Sequence, residues 1–255
     1  MKTFIPTILA ISGHDPTGGA GVQADIETIT ACGGKAVTLI TCLTSQNTKK
    51  FEEYYPLNER IFSKQSKLLL SDNSLDAIKI GSIGSVPIIK ETYRLLKKSE
   101  TKKIILDPVI YPTAGGKLLD EKMLKSSIKL LFPNVFLLTP NKEEVLEITR
   151  EKDVFRGIAK LFALGVKNIF LKDFKPNKEK IFNRLYSDEN TYQEWEIRRI
   201  PGNYHGTGCT LSSAIATFFS KNNNIIESVN LAQNFVVHAI QNSSKLGRGN
   251  RFLKR

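Results

Sequence analysis

The chain has 255 residues, 41% hydrophobic and 24% charged, with 37 Lys+Arg against 25 Asp+Glu for a formal charge of +12. That balance is globular and excludes an extended disordered chain. No apolar run reaches the ~20 residues that span a bilayer, which excludes a transmembrane helix. The cysteines, Cys32, Cys42 and Cys209, are too few and too unevenly spaced for a disulfide framework or a zinc site, which predicts a reducing compartment. Lys and Arg are dispersed, and the one basic cluster is Arg248, Arg251, Lys254 and Arg255. This predicts a solvated basic surface, because a nucleic-acid footprint needs a clustered patch.

Taken in chain order, short apolar runs alternate with helical patterns. The start faintly imitates a signal peptide, but Pro6 interrupts the apolar stretch and Gly13-His14-Asp15-Pro16 is no cleavage site. A buried strand over 7–11 is predicted instead. Then come a helix (22–31), a strand (36–43), a helix (57–70), a strand (76–80) and a helix (86–97). A strand (103–106), a helix (120–130), a strand (135–138), a helix opening at 139–144, a helix (153–164) and a strand (168–171) follow. The strands are rich in Ile, Val and Leu, as strands covered on both faces should be. This alternation predicts an α/β fold whose parallel sheet carries helices on both faces. Residues 181–200 read as a hairpin-like excursion around Ser187-Asp188-Glu189-Asn190, before final helices over 207–219 and 225–243. Without an internal repeat or a Pro/Ser linker, residues 1–255 are expected to form a single domain.

Ligands of an open parallel sheet bind beyond the carboxyl ends of its strands, so the segments there carry the functional signal. After the first strand stand Gly13, Gly18, Gly19 and Gly21, which let backbone approach a ligand and free N–H groups at a helix start. Their spacing fits neither a dinucleotide fingerprint nor a Walker loop, and a purely structural turn is the alternative. Gln46 follows the second strand, and its amide offers a donor and an acceptor side by side, suited to an aminopyrimidine edge. A plain polar turn fits there equally well. Lys79-Ile80-Gly81-Ser82 and Asp107-Pro108-Val109 close the next two strands; Asp-Pro marks a turn, and an Asp so placed can also hold a metal through water. Asn141 and Glu144 share a helix face, which suits a hydrated Mg²⁺ or a capping box.

The sharpest segment is His205-Gly206-Thr207-Gly208-Cys209-Thr210-Leu211-Ser212-Ser213. Its glycines free a turn with a helix directly behind it, so successive N–H groups form an anion hole at the positive helix end. Such a hole stabilises charge on a transferred phosphoryl group. Cys209, in the first turn, is expected to have a lowered thiol pKa. The plain alternative is a Gly-containing N-cap with a buried cysteine.

In this order the segments resemble the hydroxymethylpyrimidine/phosphomethylpyrimidine kinases of thiamine biosynthesis, within the ribokinase-like superfamily that also holds pyridoxal kinases. The resemblance rests on residues 11–25, residues 40–48, Lys79-Ile80-Gly81, Leu106-Asp107-Pro108-Val109, Thr139-Pro140-Asn141 with Glu144, and residues 205–212. It implies a ribokinase-like fold with a mostly parallel central sheet. It also implies ATP- and Mg²⁺-dependent phosphorylation of 4-amino-5-hydroxymethyl-2-methylpyrimidine and of its monophosphate. By position it assigns Gly13, Asp25, Gln46, Gly81, Ser82 and Val109 to the pyrimidine. Asn141, Glu144, Lys172 and Thr207 go to the nucleotide, and Asp107 and Glu144 to the metal. Gly206, Thr207, Gly208 and Cys209 form the catalytic turn, with Cys209 either deprotonating or only positioning the hydroxyl. The expected protein is a cytoplasmic homodimer whose partners are the pyrimidine and ATP, with no nucleic acid and no membrane. Three departures stand out. Ser82 replaces the family's usual Met, Asp173-Phe174-Lys175 replaces Gly-Gly-His, and Gly247-Arg248-Gly249-Asn250-Arg251 replaces Gly-Pro-x-Asn-His. The first keeps a pyridoxal kinase open. The others bear on ATP affinity and the second phosphorylation, and the altered Lys172–Lys175 segment with the +12 charge keeps a catalytically weak ligand-binding or nucleic-acid-associated protein open.

Overall fold

The structure, a computed structural model, describes residues 4–111, 115–116, 118–175 and 177–255. Its elements run β1 (Thr7–His14), α1 (Gly21–Ala31), β2 (Lys35–Gln46), β3 (Phe51–Pro56), α2 (Glu59–Asp72), β4 (Ala77–Ile80) and α3 (Val86–Lys98). They continue with β5 (Ile104–Leu106), α4 (Glu121–Leu130), β6 (Leu137–Leu138), α5 (Lys142–Thr149), α6 (Val154–Ala163) and β7 (Asn168–Leu171). Last come β8 (Lys180–Tyr186), β9 (Tyr192–Arg198), β10 (Tyr204–His205), α7 (Thr207–Asn222), α8 (Ile225–Gln241) and β11 (Arg251–Phe252).

The central strands are apolar on both sides, and alternation divides their side chains between two cores. In β1, Leu9 and Ile11 join the core covered by α2 to α6, where Phe62, Ile88, Met123, Val145 and Ile158 meet them. Ile8 and Ala10 face the core under α1, α7 and α8, built on Ile29, Ile215 and Val229. The result is a nine-stranded sheet in the order β3-β2-β1-β4-β5-β6-β7-β8-β9, with β2 through β7 parallel and β3, β8 and β9 antiparallel to their neighbours. The predicted α/β architecture with helices on both faces is therefore the one found. Helix starts follow their caps: Ser85, Asp120 and Asp153 each accept a first-turn N–H. Among the described residues no helix is long and apolar enough to cross a membrane.

Three regions differ from the sequence expectation. β2 runs on to Gln46 and turns back into β3, so Gln46 ends a strand instead of sitting in a loop. Strand β3 was hidden because Glu52-Glu53 breaks its alternation and β2 is irregular opposite, between Ser45 and Gln46. The hairpin over 181–200 is present, its turn held by Asp188 Oδ1 accepting the N–H groups of Asn190 and Thr191 at 2.8 Å each. It is no excursion, however, since β8 pairs with β7 and extends the sheet. The two-residue strands β10 and β11 pair in parallel and are too short to leave a periodic signal.

Candidate active site

A cavity of about 480 Å³ opens at the carboxyl ends of the parallel strands. At one end it is lined by Gly13, Gln46, Ser82 and Val109. The Gly13 N–H donates to Ser82 Oγ at 3.0 Å, and a Cβ at position 13 would meet Cys42 Sγ at 2.8 Å, so the loop lies flat against the strand ends. Gln46 Oε1 is buried there and has no partner among the described residues. Asp15 organises the glycine loop. Its Oδ1 accepts the N–H and hydroxyl of Thr17 at 2.9 and 2.8 Å, while Oδ2 accepts the Ala20 N–H at 3.0 Å and lies 2.7 Å from His205 Nε2. Burial opposes its charge, but the bonds from His205 and Thr17 prevail and hold the carboxyl below its ordinary range. The Asp15–His205 pair ties the glycine loop to the turn before α7. Sequence reasoning named both residues without a role, because nothing in their spacing shows that they meet.

At the other end, Asp107 follows β5 and Lys172 follows β7, and Lys172 Nζ donates to Asp107 Oδ1 at 3.0 Å. Thr139 Oγ1 donates to the same oxygen at 3.1 Å. Burial works against the Lys172 charge, yet Asp107 and Glu144 overcome it and raise the ammonium pKa. Asn141 and Glu144 form the capping box of α5: Glu144 N–H donates to Asn141 Oδ1 at 2.8 Å and Asn141 N–H to Glu144 Oε2 at 2.9 Å. The structural alternative is thus realised, and both residues also line the cavity. Burial pushes the Glu144 carboxyl up to about 7, with Lys172 opposing and Asp107 adding to the rise.

Between the two ends stands the start of α7. Gly206 has φ +83°, a left-handed conformation that suits glycine, and a Cβ there would overlap the Gly19 carbonyl. A Cβ at Gly208 would lie 3.0 Å from Asp107 Oδ2 and 3.7 Å from Lys172 Nζ, so this helix N-terminus abuts the Lys172–Asp107 pair directly. Thr207 and Cys209 also line the cavity. The expectation of a lowered thiol pKa is corrected. Burial raises the Cys209 thiol, Lys79 opposes this, and Asp25 and Asp107 add to it. A first-turn position was legible in the sequence; the surrounding carboxylates and the burial were not.

Asp25 and Gly81 stand behind the cavity and do not line it. Asp25 is fully buried and pairs with the equally buried Lys79 at 2.7 Å, while Ser213 Oγ donates to the same Asp25 oxygen at 2.8 Å. A Cβ at Gly81 would fall 2.7 Å from Lys79 Nζ, so this glycine makes room for the ammonium. The departure after Lys172 is also built in. Asp173 takes φ +44°, donates its N–H to Asn183 Oδ1 at 2.8 Å and pairs with Arg199 at 2.7 Å. Beyond it Ile181, Ile197, Val236, Val237 and Ile240 give this end of the cavity apolar walls.

The fold is that of the ribokinase-like kinases. The pyridoxal kinase of Staphylococcus aureus in complex with AMP-PCP has a TM-score of 0.88 at 25% identity, covering 98% of this chain and 94% of that one. A family model described as phosphomethylpyrimidine kinase matches residues 15–254, and the chain belongs to that family. The hydroxymethylpyrimidine/phosphomethylpyrimidine kinase of Aquifex aeolicus is 34% identical over 247 residues, 94% of this chain and 96% of its own. The phosphomethylpyrimidine kinase structure from Clostridium difficile 630 is 33% identical with a TM-score of 0.80, covering 93% of this chain and 100% of that one. Some relatives are longer: this chain spans 51% of a thiamine biosynthesis bifunctional protein from Geobacter sulfurreducens, at 29% identity.

Proposed function

We propose that this kinase transfers the γ-phosphoryl group of ATP to the hydroxymethyl oxygen of 4-amino-5-hydroxymethyl-2-methylpyrimidine, and then to the resulting monophosphate. The single observation that carries the reading is the α7 N-terminus at Gly206–Cys209 standing against Asp107 and Lys172, in one cavity with Gln46. The unpartnered Gln46 Oε1 is an acceptor suited to the exocyclic amine, and Gly13, Ser82 and Val109 shape the ring's place. The apolar walls beyond Asp173 suit the nucleobase, with Asn141, Lys172 and Thr207 toward the phosphates. Asp25 and Gly81 act indirectly, by seating Lys79 beneath the site.

In this reading the substrate oxygen bonds to the γ-phosphorus, the bond to the β–γ bridging oxygen breaks, and ADP leaves with that electron pair. The hydroxyl proton passes late to an oxygen of the transferred phosphoryl group and from there to solvent. The transition state is loose, so positioning and charge stabilisation outweigh base strength. The N–H groups of 206–209 and the Lys172 ammonium supply that stabilisation. Cys209, held protonated by burial, positions the hydroxyl. Among the described residues no group of three or more His, Cys, Asp or Glu could cage a metal. Two carboxylates are what Mg²⁺ ordinarily takes from a protein beside phosphates and water, and burial, with Asp107 nearby, leaves the Glu144 charge incompletely compensated despite Lys172. Asp107 and Glu144 would hold the ion, and when bound it supplies charge neutralisation on the phosphates.

A pyridoxal kinase activity is the second reading, favoured by the likeness to the Staphylococcus aureus enzyme and by Ser82 in place of a bulkier residue. We place the activity in a single kinase domain over 1–255, acting as a homodimer in the cytoplasm. A coupled ATP-consumption assay with the hydroxymethylpyrimidine, its monophosphate and pyridoxal side by side tests all of this chemistry. Turnover of the pyrimidine is expected, and turnover of pyridoxal alone would replace the first reading by the second.

A further inference from the structure

The basic cluster near residue 255 was expected to be solvated, and Arg248, Arg251 and Lys254 are exposed. Arg255 is not. Its side chain is 2% exposed and lies between the glycine loop and the start of α7. Nε donates to Thr210 Oγ1 at 2.9 Å, Nη2 to the Gly19 carbonyl at 2.5 Å, and Nη1 to the Gly18 carbonyl at 3.4 Å and to Glu27 Oε2 at 3.0 Å. Thr210 Oγ1 in turn donates to the Gly206 carbonyl at 2.9 Å. One planar fork thus reaches acceptors on two separate segments, a geometry an ammonium cannot reproduce.

The chain around Arg255 is itself fastened to the site. Gly249 N–H donates to Thr48 Oγ1 and Asn250 N–H to the Thr48 carbonyl, both at 3.0 Å, two residues beyond Gln46. β11 pairs with β10, and the Phe252 ring meets the His205 ring edge-on at 6.1 Å. A Cβ at Gly206 would lie 2.7 Å from Arg255 Nη2, so the guanidinium sits directly behind the anion-binding turn. Its charge adds to the positive end of α7, and Glu27, with a side chain 43% exposed, offsets it only from the rim.

We propose that Arg255 is a positioning residue for phosphoryl transfer: it clasps the glycine loop onto the 206–209 turn and backs that turn with positive charge. The proposal rests on the kinase reading above and names a part of the machinery that touches no substrate. The clasp fixes where the pyrimidine end of the cavity lies relative to the phosphoryl end, so its loss is felt in kcat before it is felt in ATP binding.

The full chain carrying Arg255→Ala, Arg255→Lys or Glu27→Gln is compared with the parent by steady-state kinetics and by amide hydrogen exchange. Arg255→Ala is expected to lower kcat at least about tenfold while KM for ATP moves less than about threefold. Arg255→Lys recovers part of the loss, millimolar guanidinium ion restores Arg255→Ala further, and Glu27→Gln stays within about twofold of the parent. Exchange rises at 18–21 and 206–209 in Arg255→Ala and stays at the parent rate in β1 and β4. Parent-like kcat in Arg255→Ala, or exchange that is unchanged at both segments or raised equally everywhere, overturns the clasp. A parent that phosphorylates neither the pyrimidines nor pyridoxal overturns the kinase reading instead, and the exchange measurement still decides the clasp.

Discussion

Among the described residues two lysine–aspartate pairs, Lys79–Asp25 and Lys172–Asp107, share a chemistry and differ in their setting. Lys79–Asp25 is sealed: both side chains are 0% exposed at 2.7 Å, under the α7 N-terminus. Lys172–Asp107 opens on the cavity, with side chains 19% and 3% exposed at 3.0 Å. A sealed pair cannot trade its partner for a ligand, so its charges matter to folding and to the field above it. An open pair can share its charge with an incoming phosphate. The sealed pair also leaves Asp25 Oδ2 and Ser12 Oγ buried without a partner among the described residues, so its burial is incompletely compensated.

The largest expected effect breaks the sealed pair. Lys79→Met strands the Asp25 carboxylate and should cost about 3–5 kcal/mol in a urea titration, whereas Lys79→Met with Asp25→Leu should recover most of it. A single variant as stable as the parent would show that the Lys79–Asp25 pair does not hold the fold. The open pair should behave in the opposite way. Lys172→Met should melt close to the parent and lose about 10²–10³ in kcat, the range for one preorganised charge-stabilising donor. If Lys172→Met unfolds and keeps its specific activity, the two pairs have been assigned the wrong way round.

Cys209 lies between them and sharpens the contrast. A protonated, positioning thiol predicts that Cys209→Ala loses about tenfold in kcat or less, against 10²–10⁴ for a true general base. The larger loss, together with a pH–rate profile stripped of one limb, would restore the thiol as base. The smallest effect concerns Glu144. Folded Glu144 keeps its proton up to about 7, whereas the unfolded carboxyl releases it near the ordinary 4.5. Its contribution to stability is therefore full below 4.5 and declines as pH rises toward 7. Glu144→Gln should flatten the stability–pH curve across that window. It should also abolish the gain in Mg²⁺ affinity that the parent shows as pH passes about 7. Denaturation and Mg²⁺ titrations from pH 4 to pH 8 (about one point per half unit) read both effects.

Much of this is legible in the sequence. The apolar strands and the glycine-rich turns have local signals, and the rule that ligands bind at the carboxyl ends of parallel strands gathers Gly13, Gln46, Asp107, Asn141 and Gly208. What stayed hidden depends on long-range meetings. Lys79 reads as one polar residue in a short apolar run, and only the fold brings Asp25 to it across 54 positions. Arg255 reads as one of four cations near residue 250, and its acceptors lie more than 200 positions upstream except for Thr210. The thiol expectation for Cys209 used the helix start alone and missed burial and two carboxylates, which belong to other strands and helices.

The central claim is that the phosphoryl group passes between the α7 N-terminus and the open Lys172–Asp107 pair, and Gly208→Ala tests it most directly. A Cβ there points at Asp107 Oδ2 from 3.0 Å, into the space the claim reserves for the transferred group. Position 208 has ordinary helical backbone, so alanine should leave the stability unchanged or raise it by the usual glycine-to-alanine gain of about 0.5–1 kcal/mol. The account predicts a folded protein whose kcat with the pyrimidine and ATP falls by about 10² or more. A folded Gly208→Ala enzyme turning over within a few-fold of the parent would contradict it.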